Sequence, residues 1–237
     1  MIPSAPQTPV DSGRGFSFAL EEQGGRLALR ALHHPGYGAI SADWSGPDLK
    51  RRIAAGRRQL LARAVGLDRH RDVHLLDGTG GLGRDAFVLA ALGARVTLSE
   101  RHVTVFRLLD DAHRRALADP ASAEAASRME IVHGDARTLL ARGWDVIYLD
   151  PMYPDQNKSA LAKKEMQLLR ELTGGDEDAD GLLPYSRAHA RRRVAIKRPL
   201  KAPHLADTPP QHCLRGSQAR FDIYLPSAPC GAGPESR

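Results

Sequence analysis

Three short strings in this sequence combine residue types and spacings that could do chemistry. The first, Asp77-Gly-Thr-Gly-Gly-Leu-Gly83, fits G-x-G-x-x-G at Gly78, Gly80 and Gly83. Glycines there permit a tight turn and let a ligand approach free backbone N–H groups where a helix begins. Glu100 follows 20 residues past Gly80, and an acidic residue at that distance can accept hydrogen bonds from both hydroxyls of a ribose. The second string, Leu149-Asp-Pro-Met-Tyr-Pro154, supplies a carboxylate, a backbone stiffened by prolines and an aromatic ring. Asp150 and the Pro151 carbonyl can accept the two N–H hydrogens of an exocyclic amine. That turns the nitrogen lone pair toward an electrophile and stabilises positive charge developing on it. Tyr153 offers a face on which a base can stack, worth about 1–3 kcal/mol. The third string, His133-Gly-Asp-Ala136, adds Asp135 and Ala136, although loops favour Asp on turn grounds as well. The glycine loop and Glu100 predict an adenosine-containing cofactor, and no covalent nucleophile is required.

These strings need elements to hold them. Apolar runs at 73–77, 95–99, 129–133, 145–149 and 193–197 read as strands. Helical patterns at 84–92, 103–118 and 161–172, and one ending near 190, separate them. Strands alternating with helices predict an α/β fold with a doubly wound, mostly parallel sheet, closed by a late antiparallel strand at 221–225. Ligands in such folds sit at the carboxyl ends of the strands, where all three strings fall. Upstream, alternating runs over 16–40 broken by Gly24-Gly25 and Pro35-Gly36 predict short antiparallel strands, and 48–65 predicts a cationic helix. The expected organisation is a flexible tail over 1–15, a small β-rich unit over 16–47, the main domain over 48–226 and a second tail over 227–237.

Composition removes other classes. No apolar run is long enough to cross a bilayer, and no secretory leader is expected, so a cytoplasmic location and no membrane partner are predicted. The two cysteines, Cys213 and Cys230, form no CxxC pair, and the ten histidines show no HExxH spacing, so no disulfide framework and no metal site are expected. The net charge of +6 favours a polyanionic partner.

The Asp150-Pro-Met-Tyr153 string resembles the (D/N)-P-P-(Y/F) signature of methyltransferases acting on exocyclic amines of bases, with Met152 replacing the second proline. More specifically, the chain resembles the RsmJ (YhiQ) family, bacterial enzymes that make N2-methylguanosine in small-subunit rRNA. The likeness runs from about Gly56 to Leu225. It is dense in GGLGRDAFVLA, LDPMYPDQNKSALAKKEM and DADGLL, and in Lys197-Arg-Pro199 with Arg220-Phe-Asp-Ile-Tyr224. The resemblance implies a Rossmann-like class I fold, S-adenosyl-L-methionine (SAM) as cofactor, and the 16S rRNA or small ribosomal subunit as partner, with a guanine flipped into the pocket of Asp150, Pro151 and Tyr153. It also implies cofactor contacts from Arg84, Asp85, Glu100, Arg101, Asp135, Ala136 and Asp150, beside Asp77 and the loop glycines. The family's usual Ala-Thr-Ala is Gly78-Thr-Gly80 here and its Phe is Tyr153, while the first fifty residues match poorly. Lys158, Lys163 and Lys164 past the catalytic string, and Arg191, Arg192, Arg193, Lys197 and Arg198 around the fifth strand, are expected to ring the cleft mouth and meet RNA. The alternatives are an NAD-dependent oxidoreductase, which leaves the proline-framed string unexplained, a non-catalytic RNA-binding module, and a methyltransferase acting on another base amine in RNA or DNA.

Overall fold

A computed structural model of the chain describes residues 8–152, 160–176 and 178–227. The chain opens with an antiparallel sheet of three strands, β1 (Thr8–Asp11), β2 (Ser17–Glu22) and β3 (Leu27–Ala31). Helices α1 (Pro47–Ala54) and α2 (Leu60–Ala64) follow. Strand and helix then alternate through β4 (His74–Asp77), α3 (Arg84–Ala91), β5 (Arg95–Glu100), α4 (Val103–Ala118), the short α5 (Ala123–Ala126), β6 (Met129–His133) and β7 (Trp144–Leu149). The last part comprises α6 (Ala160–Thr173), α7 (Leu182–His189), β8 (Ala190–Pro199), β9 (His212–Arg215) and β10 (Ala219–Tyr224).

The second sheet has seven strands in the order β6-β5-β4-β7-β8-β10-β9. The first five run parallel, and β10 pairs antiparallel with both β8 and β9. Residues such as Leu75, Leu76, Val194 and Ile196 are fully buried, as expected for strands covered by helices on both faces. The chain leaves β4 toward β6 on one side and returns to place β7 on the other. The crevice between the ends of β4 and β7 is therefore the topological switch point, where ligands bind in this architecture.

Three differences from the sequence reading have physical causes. Thr8–Asp11, inside the expected tail, is held as a strand by Phe18, Ala19 and their neighbours on β2. The helix expected over 48–65 is broken, because Gly56 adopts φ 66°, a left-handed conformation that ends α1 before α2 begins. Strand β9 was not anticipated: its His-Cys-Leu-Arg sequence lies on the sheet edge, largely exposed, and so carries no apolar signature.

The N-terminal sheet shares the main core. Phe18, Leu20 and Leu29 belong to one buried cluster with Leu108 and Leu109 of α4. Leu27 donates its backbone N–H to Asp111 on α4 at 3.1 Å. Beyond β3, Trp44 stacks on Phe87 of α3 at 5.0 Å between ring centroids and donates its indole N–H to the Leu82 carbonyl at 2.9 Å. The segment the resemblance left without a role thus buttresses the glycine loop. Among the described residues no helix is long and apolar enough to cross a membrane.

Candidate active site

The loop after β4 is shaped by close approach of backbone to its neighbours. Gly80 donates its N–H to the Ser99 carbonyl at 2.9 Å, and a Cβ there would lie 2.8 Å from that same oxygen. Gly83 precedes α3 with φ 70°, and a Cβ on it would lie 2.8 Å from both Trp44 and Leu109. Only glycine satisfies both positions. Glu100, at the end of β5, accepts the backbone N–H of Gly81 at 3.0 Å and of His102 at 2.7 Å. Burial nonetheless pushes its carboxyl up to about 7. Asp77, buried at the end of β4 and accepting the Thr79 N–H at 3.1 Å, is likewise pushed up to about 7 by burial, with Asp85 and Asp150 adding to the rise. Asp135 accepts the Arg137 N–H at 2.8 Å, and Ala136 is buried beside it. All of these line one cleft of about 1510 Å³.

Asp150 stands on the opposite lip, past the end of β7. Its N–H donates to Thr79 Oγ1 at 2.6 Å, which ties it to the glycine loop. The Lys197 ammonium donates to Asp150 Oδ2 at 2.8 Å and to Asp85 Oδ2 at 2.9 Å. Strand pairing puts Lys197 there, since Leu149 of β7 lies beside Ile196 of β8. Burial alone would lower the Lys197 pKa, but Asp150 and Asp85 outweigh it and hold the ammonium well above the usual lysine range. Asp85 also receives Arg52 from α1 and the Tyr148 hydroxyl, the latter at 2.6 Å. Burial opposes its ionisation, yet Lys197 and Arg52 keep its carboxyl well below the usual range. The Tyr148 hydroxyl is held well above 10, by burial first and by the Asp85 charge beside it next.

Other expected residues fall around this centre with different tasks. Arg84 makes a two-pronged ion pair with Glu165 of α6 at 2.6 and 2.8 Å. Arg101 binds Asp178 at 2.7 Å, Asp176 at 2.9 Å and the Gly175 carbonyl at 2.9 Å, and Arg137 also pairs with Asp178. Asp176 in turn accepts the Met152 N–H at 2.7 Å, so the acidic turn braces the start of the proline-framed string. Both arginines line the cleft with their guanidinium groups committed to protein partners.

One expectation about the cleft mouth is corrected. Arg198 lines the cleft as expected, but it is buried and its guanidinium donates to the Pro203 carbonyl at 2.9 and 3.1 Å. Arg191, Arg192 and Arg193 stand at the start of β8, which runs parallel to β7, so they lie at the end of the sheet away from the cleft. Tyr153 and Lys158 are outside the described residues, as is the side chain of Lys163. Lys164 sits over the Tyr37 ring at 4.7 Å from its centroid. Thr79, Tyr148 and Arg52 hold the site together without having been singled out; their partners lie 71, 63 and 33 residues away, with no local pattern to mark them.

A doubly wound sheet, a glycine loop with a buried acid one strand over, and a proline-framed carboxylate at the switch point define a class I methyltransferase. The donor set suits SAM: Asp77 and Glu100, buried carboxylates with no ion pair among the described residues, complement ribose hydroxyls and a sulfonium, in a cradle that side chains on Gly80 or Gly83 would distort. The SAM-dependent methyltransferase family model matches residues 6–226. Ribosomal RNA small subunit methyltransferase J of Laribacter hongkongensis is 44% identical over 231 residues, covering 95% of this chain and 80% of that protein. The Shewanella oneidensis protein of the same name is 43% identical over 90% of this chain and 88% of its own length. The crystal structure of the SAM-dependent methyltransferase NGO1261 from Neisseria gonorrhoeae superposes with a TM-score of 0.69 at 34% identity, covering 90% of this chain and 84% of that one. The chain belongs to the ribosomal RNA small subunit methyltransferase J family of SAM-dependent methyltransferases.

Proposed function

We propose that this enzyme methylates the exocyclic N2 of a guanosine in 16S rRNA of the small ribosomal subunit. The observation that carries the reading is Asp150, fixed by Thr79 and Lys197 on the lip of the cleft that Glu100 and the glycine loop line. The names of the relatives support small-subunit rRNA as substrate, and the family resemblance supports guanine N2. The glycine loop, Asp77, Glu100, Asp135 and Ala136 would hold SAM, which when bound supplies an electrophilic methyl group.

An aryl amine is a weak nucleophile because its lone pair is delocalised into the ring. Asp150 and the Pro151 carbonyl accept its N–H hydrogens and direct that lone pair across the cleft. As the N–C bond forms, positive charge grows on nitrogen and the Asp150 carboxylate stabilises it. The methylated nitrogen then releases one proton to water. Lys197 stays charged throughout, so Asp150 is held as an oriented anion. Tyr153 is assigned the stacking face for a base that leaves its helix at a cost of a few kcal/mol. Lys158 and Lys163 are assigned phosphate contacts near the string.

Nucleoside mass spectrometry of small subunits lacking the modification, incubated with enzyme and SAM, tests the assignment. The expected product is N2-methylguanosine in 16S rRNA. A methylated adenine amine instead would redirect the acceptor, and no transfer to the subunit or its RNA would remove the substrate class.

A further inference from the structure

We propose that His33, His34 and Glu171 form a binding site for a single divalent transition ion, of which zinc is the type, clamping the turn after β3 onto α6. The site is separate from the methyl-transfer cleft and independent of which base is methylated. Glu171 presents one oxygen to each imidazole: Oε2 lies 2.9 Å from His33 Nε2 and Oε1 lies 3.5 Å from His34 Nε2. All three ligand atoms fall within 4.8 Å of one another. A tetrahedral zinc with bonds of about 2.0–2.2 Å sets its ligand atoms roughly 3.3–3.5 Å apart, so shifts of an ångström or less would suffice.

The orientation of His33 argues for a cation. Its Nδ1 lies 2.9 Å from the Ser17 carbonyl oxygen, which can only accept, so Nδ1 carries the hydrogen. Neutral His33 therefore aims the Nε2 lone pair at a carboxylate oxygen, two acceptors face to face. A proton or a metal ion on Nε2 resolves that conflict, and a backbone carbonyl fixing the far nitrogen is the usual support for a metal-bound imidazole. The surroundings are also preorganised. His33 packs against Phe16 and Phe18 at 5.1 and 5.0 Å, and His34 stacks on Tyr37 at 4.6 Å with the planes 16° apart. The side chains remain 14–33% exposed, which leaves an entry path and room for water as a further ligand. Sequence spacing gives no hint of the set, because Glu171 is 138 residues from His33.

The test is a titration of the full-length, chelator-stripped protein with Zn(II) against a chromophoric competitor, and separately with Co(II). Expected are one saturable ion per chain and the visible absorption of four- or five-coordinate cobalt. His34→Ala and Glu171→Gln should each weaken binding at least about tenfold, while Cys213→Ser leaves it unchanged. The cobalt spectrum of the parent protein stands even if a variant misfolds. An octahedral, unsaturable cobalt signal, or zinc affinity that survives both ligand variants or vanishes with Cys213→Ser, would overturn the site and leave only a protonated His33–Glu171 pair. None of these results bears on methyl transfer, so the two readings fail separately.

Discussion

Lys197 joins two carboxylates, Asp85 and Asp150, that would otherwise repel one another within one cleft. Replacing it with methionine keeps the apolar stem and removes the charge. Turnover by Lys197→Met should fall about 10²-fold, the scale of one preorganised electrostatic partner, with adenosylhomocysteine affinity much less affected. Lys197→Arg should recover part of the rate. Equal losses of rate and cofactor affinity would make Lys197 a general support of the cleft instead. Glu100 gives a pH prediction of defined sign. Its carboxyl sits at about 7 in the free protein, and ribose hydroxyls favour the ionised acceptor, so binding expels a proton below that pH. Affinity for adenosylhomocysteine should therefore rise about tenfold from pH 6 to 8 and then level off. The same group lowers stability as pH climbs from about 4.3, where the unfolded carboxyl ionises, through its folded value. Calorimetry on Glu100→Gln should show a flattened binding profile; an undiminished slope would move the ionisation to Asp77. Asp150 and Glu100 were legible because a loop and a fixed spacing announce them. Asp85 was read as a cofactor contact, yet its carboxylate is shared among Arg52, Tyr148 and Lys197, the last 112 residues away. Arg198, read beside Lys197, lines the same cleft, but its guanidinium is given to the Pro203 carbonyl, a contact no local pattern announces.

The elements that matter most to the cleft are the glycine loop and the segment that packs behind it. Trp44 fills the space against Gly83 and Phe87 and fixes the Leu82 carbonyl. Trp44→Ala should destabilise the protein by about 3–5 kcal/mol. In a chain of this size that is a melting temperature lower by about 6–20 °C. Because the loop loses its backing, adenosylhomocysteine should bind more weakly even at temperatures where the variant is folded. Scanning calorimetry and isothermal titration separate the two effects, and an unchanged dissociation constant would make the N-terminal segment a matter of stability alone. Apart from the four-residue α5, the strands and helices from β4 to β8 were readable within a residue or three, since each is an apolar run or an amphipathic repeat. Strands β2 and β3 of the N-terminal sheet were legible as strands but not as part of the core, because the sheet's contacts to α4 cross about eighty positions of sequence. Edge strand β9 has too little apolar content to register.

At the scale of the whole molecule, a parallel sheet with one switch point brings the loops after β4, β5, β6 and β7 to a single cleft. Much of the positive charge at that cleft is committed within the protein, as in the Arg84–Glu165 and Arg101–Asp178 pairs, and the arginines at the start of β8 lie at the other end of the sheet. Lys201, exposed on the cleft rim, is among the cations available to a phosphate. Lys201→Glu should reduce RNA affinity and lower the slope of log affinity against log salt by about 0.7–0.9. Cofactor affinity should stay near that of the parent, and an unaltered slope would place the RNA elsewhere. The fold class and the location of the cleft were accessible from the alternation of strands and helices and the loop strings, and the family from four dense segments of resemblance, whereas the placement of the arginines around the cleft required the strand directions. The account rests above all on the Asp150 carboxylate acting on a guanine amine, and single-turnover methyl transfer to unmodified small subunits by Asp150→Asn tests it most directly. The substitution keeps the size and one acceptor oxygen while removing the charge that opposes positive nitrogen. Transfer to N2 should slow by about 10²-fold or more with adenosylhomocysteine still bound at near-parental affinity; a near-parental transfer rate would contradict the assignment of Asp150 to the chemistry.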